Sequence, residues 1–446
     1  MSDLHATVAP TPSGFHITGT ETITYTFTFQ DSIFSSSAPQ LAKIYTPFSR
    51  CFLIADATII HLYGAQISSY FSTHGIALTV HETRIGEKAK TMETMLGICE
   101  AMTRFGVLRK EPVLVVGGGL VTDVAGFACA AYRRTTPYIR IPTTLIGLID
   151  ASVSIKVGVN HGAHKNRLGA YHAPLHTFLD FTFLRSLPEA QVRNGFAELI
   201  KISTCADLRV FELLEQHCED LIKHKFGRAE GAREELRQAA DEVNRRGIER
   251  MLQLETPNLH EIMLDRVIAF GHTWSPTLEL APKVPLRHGH AISVDMAFST
   301  TLALVKGMMG VEEHQRILRL FSRAGLSMDH PLLTEELLKK GTEAILKTRD
   351  GKLRAAMPVP LGGCTFLNDV TEKEMGEALR KHKEVCMAFP RNGEGIDAYV
   401  DASDTGEGMA QMVGTVGEKA GGLMDKIGKM GGQLLGARQT VEHLPN

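Results

Sequence analysis

The run Val113-Leu114-Val115-Val116-Gly117-Gly118-Gly119-Leu120-Val121-Thr122-Asp123-Val124-Ala125-Gly126 decides the fold class. It reads as a short apolar strand, a glycine turn and the start of a helix. Glycine lets backbone approach backbone, and such a turn leaves amide N–H groups at a helix N-terminus, a cradle suited to a pyrophosphate. Asp123 adds an acceptor for a sugar hydroxyl. The spacing is not Gly-x-Gly-x-x-Gly, so this run alone fits a structural turn equally well.

Outward from it, Phe52-Ile54, Ala77-Val80 and Ile139-Ile141 are further short apolar runs, each followed by Asp, Gly or Thr turns and separated by helical stretches. This alternation predicts a parallel sheet wrapped by helices, an α/β nucleotide-binding (Rossmann-like) domain over residues 1–187. Phe15-Thr28, with alternating β-branched residues, is expected to add one or two edge strands. After Leu187-Pro188 helical spacing takes over, in Gln191-Ala206, Arg209-Ile222, Glu234-Leu254, His290-Val305 and Thr371-His382. Residues 188–400 are therefore expected to form a mainly α-helical domain. From residue 401 to 446 glycine and methionine dominate, which predicts a flexible tail; an amphipathic helix formed only on lipid is the competing reading, from apolar residues at helical spacing with Lys419, Lys426 and Lys429.

A chain of 446 residues with 43% hydrophobic and 22% charged residues has the material for a large core. Its net charge of -2 and lack of a long basic run argue against nucleic acid or anionic lipid as main partner. Seven cysteines, scattered and without a Cys-x-x-Cys pair, suit a reducing cytoplasm. No secretory signal and no apolar stretch of membrane-spanning length is visible.

Three polar groupings carry chemistry. Asp150, Lys156, Lys165 and Asn166 offer a carboxylate, two ammonium groups and an amide among apolar residues, suited to gripping a hydroxylated, phosphorylated ligand. Glu198 and Lys201 are three apart on a helix and share a face, as a salt bridge would also require. Gly271-His272-Thr273-Trp274-Ser275-Pro276 and Arg287-His288-Gly289-His290 supply imidazoles which, with one carboxylate, make a catalytic zinc set. Spacing does not choose between His288 and His290, and His161, His164 and His172 are a rival cluster.

Together these segments resemble the sugar-phosphate cyclase superfamily, the dehydroquinate synthases and their relatives, over nearly all of residues 45–390. The match takes in Gly86-Glu87-Lys88-Ala89-Lys90-Thr91, Gly117-Gly119 with Asp123, Pro142-Thr144, Asp150, Lys156, Lys165-Asn166, Glu198 with Lys201, Gly271-His272-Thr273 and His288-Gly289, in family order. The resemblance implies NAD contacted by Asp56, Glu87, Lys90, Gly117, Gly118, Gly119, Asp123, Thr143, Thr144 and Lys165. It implies zinc, or another divalent metal such as cobalt, on Glu198, His272 and His288. Substrate would lie near Asp150, Lys156, Asn166 and Lys201, and Arg134 would reach a neighbouring subunit's site in a homodimer.

One departure narrows the family. Dehydroquinate synthases carry a phosphate-handling histidine four residues past the first ligand histidine, where this chain has Pro276. His272-Thr273-Trp274-Ser275-Pro276, the 160–167 run and His288-Gly289-His290-Ala291 resemble instead the sedoheptulose 7-phosphate cyclases. Valiolone-forming members carry Leu, Asp and His where this chain has Glu255, Ala269 and Thr348, a trio similar to the branch whose product is desmethyl-4-deoxygadusol, a mycosporine precursor. Metal-dependent alcohol dehydrogenases, which share the architecture, are the competing enzyme class.

Overall fold

Six parallel strands scaffold the N-terminal half of the described residues, which in the computed structural model are 3–84, 86–162, 164–401 and 404. They are β3 (Thr26–Phe29), β4 (Arg50–Asp56), β5 (Ala77–Thr83), β6 (Val113–Gly117), β7 (Tyr138–Pro142) and β10 (His176–Leu179), in the order β3-β10-β7-β6-β4-β5. Side chains alternate across a strand, so each face acquires its own core. Leu53, Ala55, Leu114 and Val116 pack with α1 (Gln40–Tyr45) and α2 (Ala57–Thr73). Phe52, Ile54, Val113 and Val115 pack with α3 (Met92–Phe105) and α4 (Gly119–Ala131). The chain leaves β4 outward to β5 and returns to β6 on the other side, so strand order switches between β4 and β6. Ligands of open α/β sheets bind at the strand ends beside such a switch.

The N-terminal expectation is corrected in part. Only β3 joins the sheet as an edge strand; Gly14–Thr22 (β2) pairs antiparallel with Asp3–Thr11 (β1) in a separate hairpin. The polar 156–171 segment also forms a hairpin, β8 (Lys156–His161) with β9 (His164–Tyr171). Gly126 of α4 meets this hairpin so closely that an added Cβ would stand 2.5 Å from Val157 Cγ1.

The C-terminal half is built on α5 (Glu189–Ala206), α6 (Leu208–Lys223), α7 (Glu234–Glu255), α8 (Ser275–Glu279), α9 (His288–Val305), α10 (Val311–Arg323), α11 (Glu335–Thr348) and α12 (Glu372–Cys386), with a small ribbon of β11 (Ala355–Met357) and β12 (Thr365–Leu367). Every residue of α9 from Gly289 to Ala303 is buried, as is every residue of α5 from Gly195 to Cys205. A helix buried on every side belongs in a core, and α9 is that central helix. Leu187, near which the change to helices is expected, lies between β10 and α5. Apart from Asp401 and Asp404, the Gly/Met-rich tail lies outside the described residues.

Candidate active site

The buried stretch of α5 carries two charges, Glu198 and Lys201, and charge in a core demands partners. Lys201 Nζ lies 2.6 Å from Glu198 Oε2 and 3.0 Å from Asp150 Oδ2. Glu198 Oε1 is 3.1 Å from His288 Nε2, at the N-terminus of α9. One ligand atom from each of Glu198, His272 and His288 lies within 4.8 Å of the other two, a group of the size that holds one metal ion. Burial opposes charge on Glu198, but Lys201 and His288 outweigh it and hold the carboxyl far below its ordinary range. Burial, then Lys201 and His288, keeps His272 neutral, the form that binds metal. Burial also disfavours charge on His288, yet Glu279 and Glu198 push it up to about 10.

Local sequence builds this geometry. Gly271, at φ +75, turns the chain before His272 and presses on α9: a Cβ there would meet Met296 Cγ at 2.5 Å. The buried Asp295 accepts the backbone N–H groups of Thr273, Trp274 and Ser275 through Oδ2, at 2.9, 2.5 and 2.7 Å. It thereby caps the start of α8, where Pro276 sits in the first turn and lacks the N–H a cap would need to satisfy. Trp274 anchors the turn in the core, edge-on to Phe298 and donating through Nε1 to Thr342 Oγ1 at 3.0 Å. Its burial contributes on the order of 3 kcal/mol. Arg349 donates to the His272 carbonyl at 3.2 Å.

A cavity of about 990 Å³ opens beside His272. Asp150, Lys156, Lys201, Arg266, Ala269, Pro276 and Thr348 line it, with Lys165, Arg167 and Lys340. Its charged lining is mainly cationic, with Asp150 and Glu336 as the acidic members. Asp150 is raised by burial and by Glu198, against the pull of Lys201, so it is suited to holding a proton. Lys156 Nζ, on β8, lies 2.9 Å from Glu261 and 3.6 Å from Glu255, and Glu261 is also ion-paired with Arg266. Burial lifts the Glu255 carboxyl above its ordinary value although Lys156 opposes it. Glu255 and Lys156 share a second, smaller cavity behind the 258–268 loop.

At the strand ends, Asp56 closes β4 and Gly117 closes β6, on the two strands that flank the switch. Asp56 Oδ1 accepts the amides of Thr58 and Ile59 and so caps α2. No side chain caps α4, whose first turn starts after Gly118. Added Cβ atoms at Gly118 and Gly119 would stand 3.1 Å from Thr144 Cγ2 and 3.2 Å from Ala151 Cβ. Thr143 donates its amide to the Gly117 carbonyl at 3.0 Å. Lys90 Nζ joins Asp123 Oδ2 at 2.6 Å to Asn166 Oδ1 at 2.5 Å. Lys165 lies 3.4 Å from Glu87 and 2.5 Å from Glu279. The structure therefore divides the polar 150–166 set: Asp150 and Lys156 face the large cavity, whereas Asn166 sits with Lys90 and Asp123 outside the wall of that cavity.

Arg134 is exposed at the left-handed turn after α4, φ +71, and lines neither cavity. His290 points away from Glu198; its Nδ1 pairs with Ser327 Oγ at 3.0 Å and burial drives it down to about 3. In the rival cluster His161 and His164 are exposed and His172 pairs with the Thr136 carbonyl. Sequence reasoning missed Glu279, Glu261 and Asp295. Each acts across distant segments, and only Glu279, seven residues past His272 in the helix that follows, gave a local signal.

The N-terminal 3-dehydroquinate synthase family matches residues 80–194, and the C-terminal 3-dehydroquinate synthase family matches residues 195–345. The chain belongs to the dehydroquinate synthase-like sugar-phosphate cyclases, as the motifs led one to expect. It is 54% identical to the demethyl-4-deoxygadusol synthase of Trichormus variabilis, over 90% of this chain and 97% of that one. To a 2-epi-5-epi-valiolone synthase of Actinoplanes it is 41% identical, over 81% of this chain and 91% of that one. Among solved structures, the valiolone synthase ValA of Streptomyces hygroscopicus subsp. jinggangensis, with NAD+ and Zn2+ bound, matches with a TM-score of 0.76 and 38% identity, over 82% of this chain and 98% of that one.

Proposed function

We propose that this protein cyclises sedoheptulose 7-phosphate to demethyl-4-deoxygadusol (desmethyl-4-deoxygadusol) with loss of phosphate, using NAD and a divalent metal, zinc or cobalt. The observation that carries the reading is the 54% identity to a synthase of that product, against 41% for a valiolone synthase.

The residues fit both groups. Glu198, His272 and His288 would hold the metal, a two-imidazole, one-carboxylate set whose ligand atoms already converge. The uncapped α4 turn, where a Cβ at Gly118 or Gly119 would crowd Thr144 or Ala151, would receive the nucleotide pyrophosphate, with Gly117, Thr143 and Thr144 shaping the turn. Asp56, Glu87, Lys90, Asp123 and Lys165 would surround it, with Asn166 joined to this group through Lys90. When bound, NAD supplies reversible hydride transfer and the metal stabilises an alkoxide.

The chain's own residues do the rest. Lys156, Lys201 and Arg266 line the chamber with positive charge for a phosphorylated polyol. Lys201, held charged between two carboxylates, orients hydroxyl oxygens by donation. Asp150 holds and moves a proton, its carboxyl raised by burial. Ala269 and Thr348, in the wall of the same chamber, would shape the space in which the ends of the open-chain intermediate meet for the intramolecular aldol addition. Glu255, in the smaller cavity that adjoins the chamber at Lys156 and with its raised carboxyl, would accept the proton in the loss of water that separates this product from a valiolone.

The active unit in this reading is a cytoplasmic homodimer. Arg134, exposed on its turn, supports a reach into a second copy's site, and seven free cysteines suit a reducing compartment. No helix among the described residues is long and apolar enough to cross a membrane. Purified protein supplied with NAD, zinc and sedoheptulose 7-phosphate is expected to form an ultraviolet-absorbing product of the expected mass. A non-absorbing valiolone overturns the product assignment, and stoichiometric NADH from simple alcohols would point to a dehydrogenase.

A further inference from the structure

Glu279 ends the short helix α8, and its side chain is 7% exposed. Its two oxygens have different partners: Oε1 lies 2.5 Å from Lys165 Nζ on β9, and Oε2 lies 3.2 Å from His288 Nδ1 on α9. The far nitrogen of the same ring, Nε2, faces Glu198. On the other side Lys165 also reaches Glu87, which accepts from Asn160 Nδ2 at 2.8 Å. A continuous polar chain thus runs from the sheet half, through Lys165, Glu279 and His288, to Glu198. Its middle member is held rigidly, because α8 is capped by Asp295 and pinned in the core by Trp274.

We infer that Glu279 is a positioning residue with two duties: it fixes the His288 ring for metal, and through Lys165 it couples metal binding to nucleotide binding. The first duty follows from its geometry. A ligating imidazole donates its other N–H to a carboxylate, which fixes the tautomer and ring orientation. The second follows from sharing. One carboxylate serves a group on the proposed nucleotide side and a group on the metal, so ordering either side orders the other, and the coupling is reciprocal. This second duty rests on the NAD and metal reading given above. A buried ion pair with no role beyond stability would hold Lys165 and His288 equally well but would leave the two affinities independent.

Zinc affinity measured by competition with a chromophoric chelator, with and without saturating NAD, separates these cases. In the unaltered protein NAD is expected to tighten zinc about tenfold. In Glu279→Gln, zinc affinity without NAD falls about 10- to 100-fold, and NAD no longer alters it. In Lys165→Met the NAD effect on zinc is lost although His288 keeps its carboxylate. The melting temperature of zinc-free Glu279→Gln reports its fold; should it not fold, Lys165→Met carries the coupling test. Zinc affinity unchanged in Glu279→Gln overturns the first duty, and an NAD effect retained in both variants overturns the second. Unaltered protein that binds zinc but no NAD sinks the cofactor reading and the coupling with it, while the zinc affinity of Glu279→Gln still decides the hold on His288.

Discussion

Gly289 presses against Asn194: its amide donates to Asn194 Oδ1 at 2.5 Å, and a Cβ on it would stand 2.4 Å from the Asn194 carbonyl oxygen. This contact sets the separation of α9 from α5, and hence of His288 from Glu198. Gly289→Ala is expected to push the helices apart, at a cost of about 1–3 kcal/mol in stability. Calorimetry should show the lower melting temperature, and metal analysis a loss of bound zinc. Full zinc occupancy in the variant would show that the two ligands tolerate the shift.

Lys201 sits between Glu198 and Asp150, so Lys201→Met leaves two acidic groups in the core without their cation. Breaking one partner out of such a buried set costs about 3–5 kcal/mol. Zinc replaces part of the missing positive charge at Glu198. The loss of melting temperature is therefore expected to be larger in zinc-free protein than in zinc-loaded protein. Equal losses in both states would place the effect of Lys201 elsewhere.

Glu255→Leu removes the proposed proton acceptor but leaves Lys156 with Glu261. Loss of a general base slows its step about 10²–10⁴-fold. Formation of the ultraviolet-absorbing product should fall accordingly, with a non-absorbing cyclic product accumulating by mass spectrometry and little change in KM. An unchanged product spectrum would free Glu255 from this role.

Asp207 caps α6 and is bound by Arg246 and Arg250, at 2.9 and 3.1 Å. Burial raises its carboxyl, but the hydrogen bonds from Arg246, the Val210 amide and Arg250 outweigh that and hold it below its ordinary value. A depressed folded pKa gives stability that is complete above the unfolded value of about 3.9 and is lost as pH falls through the folded value. Asp207→Asn should therefore melt earlier than the unaltered protein at neutral pH, with the gap narrowing below about pH 4. A gap constant from neutral to acid pH would rule out the charge as its source.

Much of this molecule was legible in the chain. The apolar runs at 52, 77, 113 and 139 became adjacent parallel strands; β4, β6 and β7 are buried on both faces and so read as continuous runs, whereas β5 lies at the sheet edge and is largely exposed. The helices after 187 were legible from their spacing, although α9 is buried on all sides. The first N-terminal strand was not, because β1 and β2 pair with each other outside the sheet, and their residues carry no record of a core.

By itself the sequence determined most element types, the α/β-then-helical order and the chemical kinds of group present, since these depend on composition and on periods of two and 3.6 residues. Tertiary structure alone decided which of those groups meet. Two residues apart on a helix point in nearly opposite directions, so His288 turns toward Glu198 while His290 turns to Ser327. Glu279 joins Lys165, 114 positions before it, to His288 only because α8, α9 and β9 converge. Such convergence comes from packing between segments far apart in the chain, and no local pattern encodes it.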